Sequence, residues 1–408
     1  MKKLTKELLE RLTSKYGDSF YLLDSDVFEE NYRNLKKAFS SYYPFFNIAY
    51  SYKTNYTPEL VRIVDRLGGY AEVVSAMEMD IALKSGIRYE NIVWNGPVKD
   101  ETRVKELLLN GGIVNVDTIA EFEYIKGLSK DNQNTVFNIG IRCNYPVGDG
   151  VLSRFGIDIE SDEFDDVLRE IAATDNIRLV CFQAHFAKRS PMYWTARAEG
   201  MIKIYRYGRD KYGLIPDRLD IGGGIYGAMP ASLREQLGVP EVSFEDYASR
   251  AARAFAEAFS GDDVKPMLVI EPGTALAANS MYYVCKVENI KNVRGKIIAS
   301  ANGSQKNIGL SGLNPPMEII NIDPEAKLYE DVDIAGYTCI ESDYLYKGYT
   351  GKLSAGDYLV FSNCGSYSLV MKPPFIFTNV PVIDIGGDSI KIIKRAETFE
   401  DLFVTYAF

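Results

Sequence analysis

Four sets of residues at the ends of apolar runs carry the chemistry available to this sequence. Lys53 closes the run FNIAYSYKTN, where a two-residue alternation puts Ala49, Ser51 and Lys53 on one face and Ile48, Tyr50 and Tyr52 on the other. An amine above small residues at the mouth of a packed core is a candidate for imine chemistry, because lost hydration favours its uncharged, nucleophilic form. Gly222, Gly223 and Gly224 in DIGGGIYG let backbone amides approach an anion closely. Glu271 follows four apolar residues in MLVIEPG and precedes Pro-Gly. His185 ends FQAHF and is the one histidine of the chain, which excludes a histidine-rich metal site and a Ser-His-Asp triad with a second histidine to spare. The five cysteines (Cys143, Cys181, Cys285, Cys339 and Cys364) form no CxxC pair, so free thiols and no metal are expected.

The elements that must position these residues alternate along the chain. Short β-type runs fall near Phe45–Tyr52, Tyr70–Val74, Asn91–Trp94, Ile113–Val116, Thr135–Arg142, Arg178–Gln183, Arg218–Ile221 and Met267–Glu271, with amphipathic helical stretches between them. Eight such units predict a closed (β/α)8 barrel over residues 26–276, and its active site belongs at the C-terminal ends of the strands. Lys53, His185, the glycine run and Glu271 then share one rim. After residue 276 the pattern turns to β-type segments, such as MYYVCKVENIKNV and DYLVFSNCGSYSLVM, which predict a β-rich, mainly antiparallel domain over 277–408. The charged, helical start is expected to form an N-terminal segment, 1–25, packing on that β domain. A net charge of −10 argues against nucleic acid as a partner, and the absence of a long apolar stretch argues against a signal peptide or membrane span, so a cytoplasmic enzyme is expected.

A lysine, an anion cradle and a carboxylate on one barrel rim match the aldehyde, phosphate and pyridine nitrogen of pyridoxal 5'-phosphate, with His185 placed to stack on the ring. The motifs resemble those of the fold type III decarboxylases, the ornithine and diaminopimelate decarboxylase family, over nearly the whole chain. AYSYKTN is similar to the segment around the family's cofactor lysine, EVVSAMEMDIALKSGI to its DxxSxxE segment, and NIVWNGPVKDETRVKELLLNGGIVNVDTIAEFEYI to the next two units. SRFGI, AHF, DIGGGIYG, EPG, GYTCIESD and CGSY match further motifs. The resemblance implies a decarboxylase of a small amino-acid substrate and a homodimer whose active sites are shared between subunits. It implies roles for Lys53 (imine), His185 (ring stacking), Gly222, Gly223, Gly224 and Tyr367 (phosphate), Glu271 (pyridine nitrogen), and Cys339 of the second subunit as proton donor. Gly273 and Thr274 join the cofactor set, and Arg154, Glu341 and Asp343 the substrate set.

Departures from the family pattern bear on substrate. Thr274 stands where the family has the arginine of EPGR, and His185-Phe186-Ala187-Lys188 replaces H-x-G-S, leaving Lys188, Arg189 or Ser190 to substitute for the serine. GLSGLNPPMEI carries no arginine, and Ile340 displaces an acid after Cys339. These changes point to a substrate that is neither diaminopimelate nor ornithine. A racemase or aldolase on the same barrel is the alternative within enzymes, and a non-catalytic paralogue that regulates by hetero-dimerisation is the alternative from another class.

Overall fold

A computed structural model of the chain describes residues 3–310 and 312–407. They form two compact units: residues 31–226 with 242–275, and the chain up to Glu30 with 227–241 and everything from Leu276 on.

The first unit is the barrel. Its eight parallel strands follow the order Phe46–Ser51, Tyr70–Val73, Ile92–Trp94, Ile113–Val116, Phe137–Asn144, Ile177–Gln183, Arg218–Asp220 and Met267–Ile270, and the last pairs back onto the first. All eight runs expected from the sequence are therefore strands, displaced by a residue or two at their ends. The crossover helices begin where short polar side chains accept an otherwise unpaired backbone N–H: Ser75 from Glu78, Asp100 from Arg103, Thr118 from Glu121 and Ser161 from Phe164. One difference matters for chemistry. The first strand stops at Ser51, and Lys53 sits in the single turn Tyr52–Thr54 that follows. The turn is pinned from the neighbouring strand end, since the Ser51 amide donates to the Pro272 carbonyl at 3.2 Å.

The second unit is β-rich. Phe20–Leu23 pairs antiparallel with Met281–Val293 and parallel with Val382–Asp384. Met281–Val293 also pairs antiparallel with Lys296–Ala301 and with Tyr358–Phe361. The N-terminal helix Lys6–Tyr16 buries Leu9 and Leu12 in a cluster with Phe20, Leu22, Tyr282, Val284, Val360 and Ile383. Residues 1 and 2 of the N-terminal segment lie outside the described residues. Two runs whose sequence pattern is β-type throughout, DVDIAGYTCI and DYLVFSNCGSYSLVM, form shorter strands than that pattern suggests. Strand Leu328–Ala335 ends before Cys339, which lies in a turn, and Tyr358–Phe361 ends before Tyr367. Asn363 and Tyr367 take left-handed backbone angles (φ +59° and +60°), incompatible with continued pairing. Among the described residues no helix is long and apolar enough to cross a membrane.

Candidate active site

The C-terminal rim of the barrel holds a connected, buried polar network. Lys53 Nζ donates to Glu72 Oε2 at 2.6 Å, and Ser51 Oγ donates to the same oxygen at 2.5 Å. The two-residue alternation thus brings Ser51 and Lys53 to one partner although the strand has ended between them. Glu72 Oε1 accepts from Asn95 Nδ2 at 3.1 Å, and the same amide donates to Glu271 Oε1. Gln183 Nε2 also donates to Glu271 Oε1, at 3.1 Å, while Asn115 Nδ2 donates to Asn95 Oδ1 at 2.6 Å. Gly140 makes room for this, because a Cβ there would stand 1.8 Å from Asn115 Oδ1. Burial alone would raise the Glu271 carboxyl, but at low pH, where His185 takes up a proton, the imidazolium and the charges of Lys53 and Arg142 prevail and hold it down at about 2. Glu271 is therefore a fixed anion. Asp220 lies on the adjacent strand, and burial followed by the charge of Glu271 raises its carboxyl well above the ordinary range. That direction is the one expected of two buried acids that share a site, since ionising one resists ionisation of the other.

His185 stands between the network and the glycine loop. Its Nδ1 accepts the Gly223 N–H at 3.1 Å and lies 3.7 Å from Glu271 Oε2. A nitrogen that accepts cannot also carry a proton, so the imidazole is neutral with its hydrogen on Nε2. Desolvation acts in the same direction and lowers its affinity for a proton. A third of the side chain remains exposed, a face against which a planar group can lie. In the loop, Gly222 and Gly224 take φ +74° and +87°, and the Gly222 N–H donates to Asp220 Oδ1 at 2.8 Å. Two of the three glycine amides are thus spent internally. Those of Gly224 and Ile225 have no hydrogen-bond partner among the described residues, which moves the available anion cradle one step along the chain from Gly222 and Gly223. A Cβ on Gly223 would stand 2.1 Å from the Glu271 carbonyl, and one on Gly273 would stand 1.9 Å from Thr54 Oγ1. These two close approaches let the seventh, eighth and first strand ends meet. Thr274 opens the short helix Thr274–Ala277.

Arg154 is exposed, with its guanidinium 4.1 Å from the Phe155 ring centre, and Arg142 packs on the same ring at 4.5 Å. Lys188 and Arg189 offer backbone carbonyls to Arg197 and Tyr247, while Ser190 Oγ accepts the Met192 N–H, so each already braces the loop after the sixth strand.

In the β unit, Cys339 and Glu341 are exposed. Asp343 is turned inward: its carboxylate accepts from Ser304 Oγ, the Gln305 N–H, the Thr338 N–H and Thr338 Oγ1 at 2.7–3.3 Å. Those four bonds shape the turn that carries Cys339, and no oxygen of Asp343 faces solvent freely, since the residue is 4 % exposed. Tyr367 is half-buried on its left-handed turn.

Sequence reasoning passed over Glu72, Asn95, Gln183, Asp220 and Arg197. Four of these were signalled as polar residues interrupting apolar strand ends, in YAEVV, IVWN, VCFQ and RLD. Among the described residues no cluster of His, Cys, Asp and Glu could hold a metal ion. The rim does suit a flat, phosphorylated aldehyde. It offers an amine paired to an acid, a fixed anion, a partly exposed neutral imidazole and unpartnered amides within one barrel mouth.

Comparison with known proteins accords with this geometry. Residues 26–278 match the family model described as pyridoxal-dependent decarboxylase, pyridoxal binding domain. The chain is 25% identical over 426 residues to the L-glutamyl-[BtrI acyl-carrier protein] decarboxylase of Niallia circulans, covering 97% of this chain and 95% of that one. It is 24% identical to a diaminopimelate decarboxylase of Methanothermobacter thermautotrophicus, covering 96% and 92%. Its fold superimposes on a diaminopimelate decarboxylase from M. jannaschii in complex with L-lysine with a TM-score of 0.83 at 22% identity, covering 98% and 94% of the two chains.

Proposed function

This chain belongs to the fold type III pyridoxal-dependent decarboxylases, and from that premise we propose that it removes the α-carboxyl group of an amino acid as carbon dioxide, with pyridoxal 5'-phosphate as cofactor. When bound, that cofactor supplies a conjugated ring able to take up the electron pair left behind as carbon dioxide departs. The protein's contribution is position and charge. Lys53 Nζ is the amine that would hold the aldehyde carbon, and Glu72, 2.6 Å away, is placed to take up or return its ammonium proton. Ionised Glu271 would keep a proton on the ring nitrogen, and neutral His185 would confine the ring by its exposed face. Phosphate would rest on the amides of Gly224 and Ile225, with Gly222 and Gly223 shaping the loop, Gly273 and Thr274 at its edge, and Tyr367 as a further contact. We assign cofactor binding to residues 26–276, and to 277–408 the supply of Cys339 to a partner subunit's site in a cytoplasmic homodimer. There Cys339 would return a proton to the substrate carbon. Glu341 and Arg154 would meet the substrate, while Asp343 acts by holding the turn of Cys339.

The observation that carries this reading is Glu271, buried, ionised, and fixed by Asn95 and Gln183 on the rim that bears Lys53. A full negative charge at the ring nitrogen keeps that nitrogen protonated and so maximises the electron uptake that loss of carbon dioxide requires. The relatives are named for substrates as different as a free diamino acid and a carrier-bound glutamyl group. The test therefore incubates the cofactor-loaded protein with free amino acids, meso-diaminopimelate and a glutamyl carrier-protein thioester, and measures released carbon dioxide. At least one substrate should release it, and Glu271→Gln should slow release by on the order of 100-fold with cofactor still bound. Racemisation or retro-aldol cleavage without carbon dioxide would overturn the assignment.

A further inference from the structure

The helix Trp194–Tyr212 buries an arginine, Arg197, with none of its surface exposed. Its Nη1 donates to the Gly223 carbonyl at 2.7 Å and its Nη2 to the Lys188 carbonyl at 2.5 Å. The rings of Phe186 and Trp194 lie 5.0 and 4.8 Å from the guanidinium carbon. Nε has no hydrogen-bond partner, and no carboxylate stands within ion-pair distance of Arg197 among the described residues. Burial pulls the guanidinium down to about 10, which still leaves it charged at neutral pH. Two carbonyls and two ring faces offset only part of the cost of removing a full charge from water.

The missing countercharge has a natural place beside it. A Cβ at Gly224 would lie 3.8 Å from Arg197 Nη2, so the guanidinium backs directly onto the stretch of loop whose N–H groups, at Gly224 and Ile225, are unpartnered. The two carbonyls that it grips belong to the loops after the sixth and seventh strands, so Arg197 both braces the cradle and charges it from behind. We propose that Arg197 is the buried countercharge of the cofactor phosphate, a positioning residue that makes the Gly224–Ile225 amides a dianion site through its field and its hold on both loops. In a water-poor interior such a charge acts strongly over one layer of backbone. The inference rests on the cofactor reading given above and adds to it a residue that no motif marks.

The test uses the cofactor-free full chain as wild type, Arg197→Met and Arg197→Lys, with two readouts that do not involve turnover. Thermal unfolding is followed in inorganic phosphate against sodium chloride of equal ionic strength, and pyridoxal 5'-phosphate and pyridoxal are titrated separately. Phosphate should raise the unfolding temperature of the wild type and leave Arg197→Met unmoved, because an anion stabilises only a fold that binds it. Arg197→Met should weaken pyridoxal 5'-phosphate binding by on the order of 100-fold and pyridoxal binding by less than about three-fold, the loss expected of a charge-assisted anion contact. Arg197→Lys keeps the charge without the fork and should retain most of the preference for the phosphorylated compound. Equal weakening of both compounds in Arg197→Met, or a phosphate response unchanged from wild type, would show that Arg197 only braces the loops. If Arg197→Met does not fold, loss of the preference in Arg197→Lys overturns the proposal equally. Failure of the wild type to take up pyridoxal 5'-phosphate at all would instead count against the cofactor reading itself.

Discussion

Asn95 spends one amide group on two carboxylates, Glu72 beside the lysine and Glu271 across the barrel mouth. The charge at each end of the site is thereby tied to the other. Asp220 completes the arrangement as the acid held toward its protonated form, and its behaviour has a definite pH signature. Its folded carboxyl is raised above the reference of 3.8 by burial and then by Glu271. The folded state therefore binds more protons than the unfolded chain in the interval above 3.8, and stability from this group falls as pH rises through that interval toward the folded value. Asp220→Asn mimics the protonated form and can still accept the Gly222 N–H. Urea unfolding at a series of pH values from 5 to 8 should give a flatter decline with pH for Asp220→Asn than for wild type; an unchanged slope would mean that Asp220 is already ionised. At this scale the sequence was only partly legible. Lys53, His185 and Glu271 stood out because each closes an apolar run. Arg197 did not, since in the first turn of a helix, in WTARAEG, an arginine reads as a solvated face and only the packing of Phe186 and Trp194 reveals that it is buried.

Between residue and fold, the strand ends are held together by glycines whose missing side chains are the feature that counts. The EPG segment lies against the turn Tyr52–Thr54, and Gly273 admits Thr54 Oγ1 into space that a methyl group would fill. Gly273→Ala should cost about 2 kcal/mol, within the range for overpacking, and displace the turn of Lys53. The expected outcome is a thermal midpoint lower by roughly 4–8 °C, from about 2–4 °C per kcal/mol for a domain of this size, with weaker cofactor uptake. A midpoint within a degree of wild type would mean that the turn and the EPG segment are not rigidly apposed. The strands themselves were readable because apolar runs of four to eight residues recur between capped helices. The ends were less so. Alternation predicted a strand through Tyr52, but the chain turns after Ser51, and the run through Tyr367 breaks where Asn363 and Tyr367 take positive φ, a conformation that hydrophobic pattern cannot foretell.

At the scale of the whole molecule, the barrel presents Lys53 and the β unit presents an exposed Cys339, on a turn shaped by Asp343. The shared-site homodimer proposed above would account for a thiol that stands at the surface of its own chain. Mixing Lys53→Ala chains with Cys339→Ala chains should restore activity in heterodimers, because one of the two composite sites is then intact; verified heterodimers as inactive as either parent would exclude sharing. Both units could be expected from the sequence because their periodicities differ, whereas the assembly could be inferred only through resemblance, since nothing in a single chain's hydrophobic pattern marks which exposed turn another copy will cover. The proposed chemistry depends on one bond. Reduction of the pyridoxal 5'-phosphate-loaded protein with borohydride, followed by peptide mapping by mass spectrometry, should place a single stable label per chain on the peptide that contains Lys53, and Lys53→Ala should take up none. A label on a different lysine, or no label in a protein that nonetheless releases carbon dioxide from an amino acid, would contradict it.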